Sequence, residues 1–330
     1  VKAECTEDIT LSDPPDGSGC IIAHCMGSGK SLSTVAFTST LLTDPLLRRI
    51  KKPSRSNTAP LIQRILILAP VNVVANWRLE YMKWMPYNIK DKVKVFLLTS
   101  SVSPKERYQL LKKWFMSTSS VLIVGKDLFC KLLDHAEKAQ NTARTGDTEF
   151  SLAPNYAEEV LKYLNNPGPD VVVFDEAHHV KKVDSRLFKH LSNIRTRRRI
   201  CLTGSPIQNN LRELFSMVEF VCPKYLRGWK KFESEFVTPI RNGGAKDASD
   251  EARKIMKRKS HVLNKKLQSI IARRNETVLT AYLKPKREYA IFIRLTPFQK
   301  YLYKISINTL MNGPLRQFEA FKRGMRVWDH

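Results

Sequence analysis

The chain has 330 residues, of which 42% are hydrophobic and 26% charged, so it can bury one large core or two modest ones and is not disordered throughout. Its 56 lysines and arginines exceed its 31 aspartates and glutamates, which gives a formal net charge of +25. This excess favours a polyanion, nucleic acid first, over a solvated basic surface without a ligand, and an anionic membrane surface is disfavoured because no basic amphipathic helix stands out as an anchor.

The sequence shows neither a membrane span nor a signal peptide. No apolar stretch reaches the length of a membrane span, and the start, VKAECTEDIT, has neither the basic residues nor the apolar run of a signal peptide. The six cysteines are scattered, several of them in strand-like runs, which favours a reducing compartment. The first residue is not methionine, so we expect the chain to be a piece of a longer protein.

After a loop-like acidic lead-in, the stretch CIIAHCMGSGKS at 20–31 combines an apolar strand with a glycine-spaced loop. Such a loop resembles a nucleotide-binding P-loop, in which backbone N–H groups close on phosphate at the start of a helix. Lys30 would reach the β- and γ-phosphates, and the Ser31 hydroxyl would complete the shell of a Mg²⁺ ion. The predicted ATP-binding residues are Gly27, Ser28, Gly29, Lys30 and Ser31.

Two other interpretations of this stretch remain open. His24 stands where the full P-loop pattern has glycine, so the loop could be an ordinary glycine turn before a helix. Cys20, His24 and Cys25 could also be imagined as metal ligands, although no second cluster has zinc-like spacing. Only a partner site elsewhere in the chain can decide.

Apolar strands and helical segments alternate through the next 200 residues. Strands are predicted at 65–69, 93–98, 121–124, 171–174 and 200–204. Helices are predicted at 31–42, at 71–85 with an aromatic stripe (Trp77, Tyr81, Trp84), from Ser103, and at 158–164, 185–194 and 211–221. Residues 135–156 are polar and predict an irregular surface insertion.

Continuous apolar strands that alternate with helices predict an α/β fold with a parallel sheet covered on both faces. Ligands bind at the carboxyl ends of the strands in such sheets. The P-loop, the pair Asp175–Glu176 and the segment Thr203 to Ser205 should therefore share one edge.

The pair Asp175–Glu176 supplies the chemistry that a P-loop lacks. One carboxylate can hold Mg²⁺, and its neighbour can orient the water that attacks the γ-phosphorus. An acidic pair at a strand end can also be a plain helix cap. The P-loop on the same edge favours the catalytic interpretation.

Beyond residue 225 the alternation stops. A basic helical stretch follows, then a predicted strand at 289–295 and a helix at 297–310. We predict a lead-in at 1–16, an ATP-binding lobe at 17–224, a basic helical insertion at 225–285, and a linker with the incomplete start of a second lobe at 286–330.

Four ordered motifs, AHCMGSGKS, LAPVNVVANWRLEYMKW, DEAHHVKK and LTGSPIQNN, resemble the first RecA-like lobe of SWI/SNF-type ATPases. PGPD, RTRRRICLTGSPIQNN, TPIRNG and LKPKREY are most similar to the ATRX branch of chromatin-remodelling translocases. The resemblance covers residues 17–330. It implies a P-loop NTPase lobe that uses ATP and Mg²⁺ to move along double-stranded DNA, nucleosomal DNA included, with histone contacts and a nuclear location.

The resemblance also implies roles for individual residues. Lys30 and Ser31 bind ATP and Mg²⁺, Asp175 coordinates the metal, and Glu176 activates water. The residues expected near the DNA backbone are Pro70, Asn76 and Trp77. The residues expected to couple DNA contact to the ATP site are His178, Thr203, Gly204 and Ser205.

The chain departs mildly from the family pattern at Ser28, Ser31 and Ser205, each of which keeps the hydroxyl or the loop geometry. The adenine-reading glutamine motif and the second lobe, with its hydrolytic arginines, are missing, so we expect this chain alone to be nearly inactive as an ATPase. Two rival functions are an RNA helicase, suggested by DEAH but not by LTGSPIQNN, and a non-enzymatic DNA-binding scaffold. The presence of Lys30 and Glu176 disfavours the scaffold.

Overall fold

The structure is a computed structural model that describes residues 19–50, 60–145, 154–180, 183–204, 210–274, 283–284 and 287–312. The chain folds into two compact units, Val1–Ala281 and Tyr282–His330. The sheet and most of the helices belong to the first unit. The domain limits predicted from the sequence stay predictions.

The first unit is built on a parallel sheet in the order β3-β4-β2-β5-β6-β1-β7. The central strands are buried along their whole length, because helices cover both faces and leave no position for alternating polar residues. The predicted α/β class is thereby confirmed. The strands are β1 (Cys20–His24), β2 (Arg64–Ala69), β3 (Lys94–Leu98), β4 (Ser120–Gly125), β5 (Val171–Phe174), β6 (Arg199–Thr203) and β7 (Ile271–Arg274).

Helices follow most of the strands in the chain. No helix within the described ranges combines the length and the apolar character needed to cross a membrane. The helices of the first unit are α1 (Lys30–Thr43), α2 (Pro45–Arg49), α3 (Val74–Trp84), α4 (Pro104–Met116), α5 (Lys126–Thr145), α6 (Pro154–Leu164), α7 (Arg186–Asn193), α8 (Leu211–Val221), α9 (Trp229–Phe232), α10 (Thr238–Gly243) and α11 (Asp250–Leu267).

Helices α1 and α3 cover one face of the sheet. Tyr81 on α3 is fully buried, and its hydroxyl lies 2.6 Å from the Thr38 hydroxyl on α1, which joins the two helices. Trp77 is buried as predicted for the aromatic stripe. Trp84 is not part of the core, because it lies 39% exposed and donates its indole hydrogen bond to Glu80 one turn earlier.

Helices α4 to α8 contribute to the core on the other face, where α5 corrects one prediction. Residues 135–145 continue a regular helix instead of forming an irregular insertion, and residues 146–153 lie outside the described ranges. In this part of α5, Ala136 and Ala139 are buried, and their side chains are too small to signal an apolar face in the sequence. They allow close packing against α6.

Strand β7 was also missed, because the sequence IARR within the 225–285 stretch predicted only helix. As an edge strand it has a single neighbour, so its side chains show no buried alternation. Its place is determined instead by backbone pairing with β1, including the hydrogen bond from Ile21 N to Ile270 O at 2.9 Å. The helices α9 to α11 confirm the helical prediction for the residues that they span, and residues 275–282 and 285 of the stretch lie outside the described ranges.

The described part of the second unit contains helix α12 (Pro297–Asn312), which confirms the predicted helix. The strand predicted at 289–295 is wrong, because these residues have no regular structure and Phe292 is 93% exposed. An apolar run forms a strand only when a neighbour accepts its backbone hydrogen bonds, and the described residues supply no such neighbour.

One arginine of the basic run RTRRR lies inside the protein. Arg199 is 5% exposed, and its guanidinium donates to the carbonyl oxygens of Ile194, Thr196 and Phe220 at 2.8–2.9 Å. Burial lowers the pKa of Arg199 to about 10, so the group remains charged at neutral pH. It connects the start of β6 to the end of α8.

We expect Arg199→Met to lower the free energy of unfolding by about 3 kcal/mol, because three inward carbonyl oxygens lose a charged donor. Arg198→Met is the matched control, since Arg198 is exposed and its loss should change stability by less than about 0.5 kcal/mol. Chemical denaturation of both variants measures the difference. Equal stability of the two variants would contradict an internal role for Arg199.

Candidate active site

Five adjacent strands end at the same edge of the sheet, in the order β2, β5, β6, β1 and β7. Because all the strands are parallel, the residues that follow them meet there. Pro70 follows β2, Asp175 follows β5, Gly204 follows β6, the loop 25–29 follows β1, and Arg274 ends β7. The sequence predicted that three of these, Asp175, Gly204 and the loop after β1, would share an edge.

The loop after β1 has the backbone of an anion-binding turn. Gly27 and Gly29 adopt positive φ angles of 78° and 83°, a region that side chains disfavour. The Ser28 hydroxyl donates to Cys25 O at 2.6 Å and closes the loop on itself. Glycine at these two positions is therefore a backbone requirement.

Helix α1 begins directly at Lys30, so Lys30 and Ser31 form its first turn. No side chain caps this end, and the first turn contains no acidic residue. The free N–H groups and the positive end of the helix dipole consequently face the loop, an arrangement that suits phosphate.

The Lys30 ammonium group lies at the centre of the loop. It donates to the carbonyl oxygens of His24 at 2.9 Å and Cys25 at 3.1 Å. Gly204, after β6, lies so close that a Cβ atom there would be 3.6 Å from Lys30 Nζ and 3.5 Å from Met26 Cγ. A Cβ atom at these distances would be in ordinary van der Waals contact, so the lysine lies directly beside the segment that follows β6.

Asp175 is fixed on both sides of its carboxylate. Trp77 Nε1 donates to Oδ2 at 2.8 Å, the Glu176 backbone N–H donates to Oδ1 at 2.9 Å, and Asp175 N itself donates to Leu68 O at 2.8 Å. Burial raises the pKa of Asp175, and the hydrogen bond from Trp77 and the charge of Lys30 act in the opposite direction. The indole therefore helps to keep this carboxylate ionised.

Glu176 has a left-handed backbone with φ 51° and ψ 51°, which is uncommon for a residue with a side chain and is concentrated at functional sites. Its Oε2 lies 3.1 Å from His178 Nδ1. The short turn Ala177–His179 packs against β6 and α8. This packing places His178 between the acidic pair and the elements around the predicted coupling segment.

The remaining predicted residues divide into buried and exposed positions. Thr203 is 1% exposed and pairs in register with Ala23 of β1, whereas Asn76 is exposed on α3 and Pro70 is half-buried. Trp77 is 3% exposed, so its described contact is with Asp175. Ser205 lies outside the described residues. The roles predicted for these residues stay predictions.

The donor atoms of this edge suit Mg²⁺. The Ser31 hydroxyl and the Asp175 carboxylate are hard oxygen ligands, the type that Mg²⁺ prefers. Cys20 and His24 occupy the two ends of β1, about 13 Å apart at the rise of an extended strand, and cannot share a metal ion. The structure therefore disfavours the alternative in which Cys20, His24 and Cys25 bind metal.

A second group of titratable side chains lies away from this edge and was not found from the sequence. His190 on α7 is 4% exposed, with Nε2 2.6 Å from Asp134 Oδ1 and Nδ1 3.5 Å from Glu137 Oε1 on α5. These three residues could also hold a metal ion. Arg186 forms an ion pair with the other oxygen of Asp134, so the contacts described are those of a network that connects α5 to α7.

Two curated relatives match almost the whole chain. The Transcriptional regulator ATRX homolog of Drosophila melanogaster is 35% identical over 334 residues, covering 99% of this chain and 24% of that protein. The Caenorhabditis elegans protein of the same name is 38% identical over 321 residues, covering 96% and 23%. This chain therefore spans about a quarter of the length of these curated relatives.

A solved structure described as the Sulfolobus solfataricus SWI2/SNF2 ATPase core domain is 24% identical, with a TM-score of 0.49, covering 94% of this chain and 50% of that chain. The family model described as the SNF2-related domain matches residues 7–325, which is nearly the whole chain. The chain belongs to the SNF2-related domain family.

Proposed function

We propose that this chain is the ATP-binding half of a motor that hydrolyses ATP to translocate along double-stranded DNA, as in chromatin remodelling. The observation that carries the proposal is the meeting of Lys30, after β1, with the fixed carboxylate of Asp175, after β5, at one edge of the sheet. Membership of the SNF2-related family and the similarity to ATRX homologues support it.

Each residue has a distinct task in the proposed reaction. The loop N–H groups, the start of α1 and Lys30 hold the phosphates, and Ser31 with Asp175 would hold Mg²⁺. The metal, when bound, neutralises charge on the phosphate oxygens. Glu176, held beside His178, orients the attacking water and accepts its proton.

The proposed partner is double-stranded DNA, including nucleosomal DNA, with histone or other chromatin contacts and a nuclear location. A solved family structure is described as a SWI2/SNF2 ATPase core in complex with dsDNA. In this chain α11 buries Leu263 and Leu267 and exposes Arg253, Lys254 and Lys257. This exposed basic face suits a phosphate backbone. We also propose that a second RecA-like lobe in cis completes the catalytic site.

Lys30→Ala should abolish ATP binding, because it removes the ammonium group from the centre of the loop. Glu176→Gln should bind ATP normally and lose hydrolysis, because the amide is nearly isosteric but cannot accept the proton from water. Nucleotide affinity and turnover are measured for both variants in the full-length protein. Equal loss of binding in the two variants would refute these roles, and normal ATP binding by Lys30→Ala would favour a scaffold.

Trp77→Phe should raise the pKa of Asp175 further, because it removes a hydrogen bond to the ionised carboxylate while keeping an aromatic ring. The fraction of ionised Asp175 then falls most at acidic pH. We expect the acidic limb of the ATPase pH profile to move to higher pH. Trp84→Phe, which removes an indole hydrogen bond to Glu80 on the same helix, is the control and should leave the profile unchanged.

DNA affinity should fall steeply with salt and change little with sequence, because phosphate contacts release counterions. Each lost contact reduces the slope of log affinity against log salt by about 0.9. Replacing Lys254 and Lys257 by alanine should therefore lower the slope by up to about 2. The matched control replaces exposed Lys105 and Lys112 of α4. A marked preference between two unrelated duplexes, or a flat salt response, would contradict the proposed contacts.

A further inference from the structure

Strand β7 brings an arginine to the candidate nucleotide site that no sequence motif assigned. β7 pairs in parallel with β1, and the register places Arg273 beside Ala23 and Arg274 beside His24. The Arg274 carbonyl oxygen accepts a hydrogen bond from Cys25 N, the first residue of the P-loop, at 3.2 Å. The backbone of Arg274 is thus part of the frame that positions the loop.

The side chain of Arg274 contributes to the same positive field as Lys30. The pKa of His24 is lowered first by burial, then by the charge of Arg274 and by that of Lys30, so both cations act at this imidazole. His24 carries the carbonyl oxygen to which Lys30 donates. No carboxylate is among the described groups that shift the pKa of His24.

The two arginines of β7 belong to opposite faces of the sheet, because successive residues of a strand alternate. Arg273 shares a face with Ala23 and the core beneath α8, whereas Arg274 shares the face of Ile22, which packs in the core with α1. Helix α1 is the helix whose uncapped start faces the P-loop. Arg274 is therefore on the side of the phosphate-binding helix.

Arg274 also differs from the cations near the sheet that are buried or paired. Arg199 donates to three carbonyl oxygens, and Arg64 lies 3.7 Å from Asp170. The exposed guanidinium of Arg274 has no carboxylate or carbonyl acceptor among the described residues. The alternative role for an exposed arginine on an edge strand is to discourage strand pairing between molecules. Arg273, on the same strand, would fill that role equally well.

We infer that Arg274 is a nucleotide-binding residue whose guanidinium contacts a phosphate oxygen of the nucleoside triphosphate, supplementing Lys30. The inference rests on the proposed function. Arg274 thus adds to the site a cation that comes from β7, outside the P-loop motif, and lies on the face of the sheet that α1 covers. A guanidinium suits this task because it stays charged and can give two parallel hydrogen bonds to phosphate.

The test measures binding of ATP with Mg²⁺ to the full-length protein by titration calorimetry. Arg274→Ala should weaken ATP and ADP binding by about tenfold or more, because one charge-assisted hydrogen bond is lost, and Arg274→Lys should recover part of the loss. Adenosine, which lacks phosphates, should bind both proteins equally. Arg273→Ala, with the same loss of charge on the same strand, should stay within about twofold of the parent protein.

Two further measurements, the pKa of His24 and the affinity for a DNA duplex, distinguish a direct contact from other causes. NMR titration of the His24 ring should show its pKa rising in Arg274→Ala, because a repelling cation has been removed. Equal weakening of ATP binding by Arg273→Ala, an unmoved His24 pKa, or weaker binding of a DNA duplex with unchanged ATP binding would each overturn the inference. If Lys30→Ala also binds ATP normally, the proposed function itself fails, which separates the two conclusions.

Discussion

The constraint on which the structure depends is the parallel direction of all its strands. Parallel pairing forces every chain segment that leaves the sheet at its carboxyl edge to meet the others, whatever their distance in sequence. Asp175 lies about 150 residues after the P-loop, yet its strand β5 is separated from β1 only by β6. Strands β2 and β5 are buried and mainly apolar, so they contribute no chemical group to the site themselves. Their contribution is to hold the loops of the site in a fixed order.

That order also separates the charges of the site. The carboxylates of Asp175 and Glu176 follow β5, whereas Lys30 lies after β1 and Arg274 ends β7, with Gly204, which follows β6, between them. A metal ion needs negatively charged ligands, and a polyphosphate needs positively charged ones. The strand order provides both at one edge of the sheet, without burying an unpaired charge in the core. Burial nevertheless raises the pKa of Asp175. Trp77 offsets part of this cost, which gives the buried indole a chemical role beyond packing.

The sequence predicted the elements whose signal is local. The apolar strands, the P-loop glycines and the acidic pair at the end of β5 each have a recognisable pattern, and the structure brings them to one edge. It could not predict β7, because an edge strand is determined by backbone pairing with a distant segment and not by its own side chains. The second half of α5 was missed because alanine at the buried positions conceals the apolar face. The contact from Trp77 to Asp175 depends on tertiary packing across 98 residues and has no signature in either motif.

The net charge of +25 indicates a polyanionic partner but does not say where each cation acts. The structure divides these cations by their surroundings. Arg199, the last residue of a basic run whose composition suggests a surface patch, donates its hydrogen bonds to backbone carbonyl oxygens inside the protein. Lys254 and Lys257 of α11 are exposed, so they can contact a phosphate backbone, where single contacts are weak and their sum is large. Arg274 stands between these extremes, exposed but held in register with the phosphate-binding loop. Residues with the same charge thus have structural, electrostatic or ligand-binding roles, depending on their burial and on the strands that position them. The net charge therefore supports a functional conclusion only when the position of each charged residue in the fold is known.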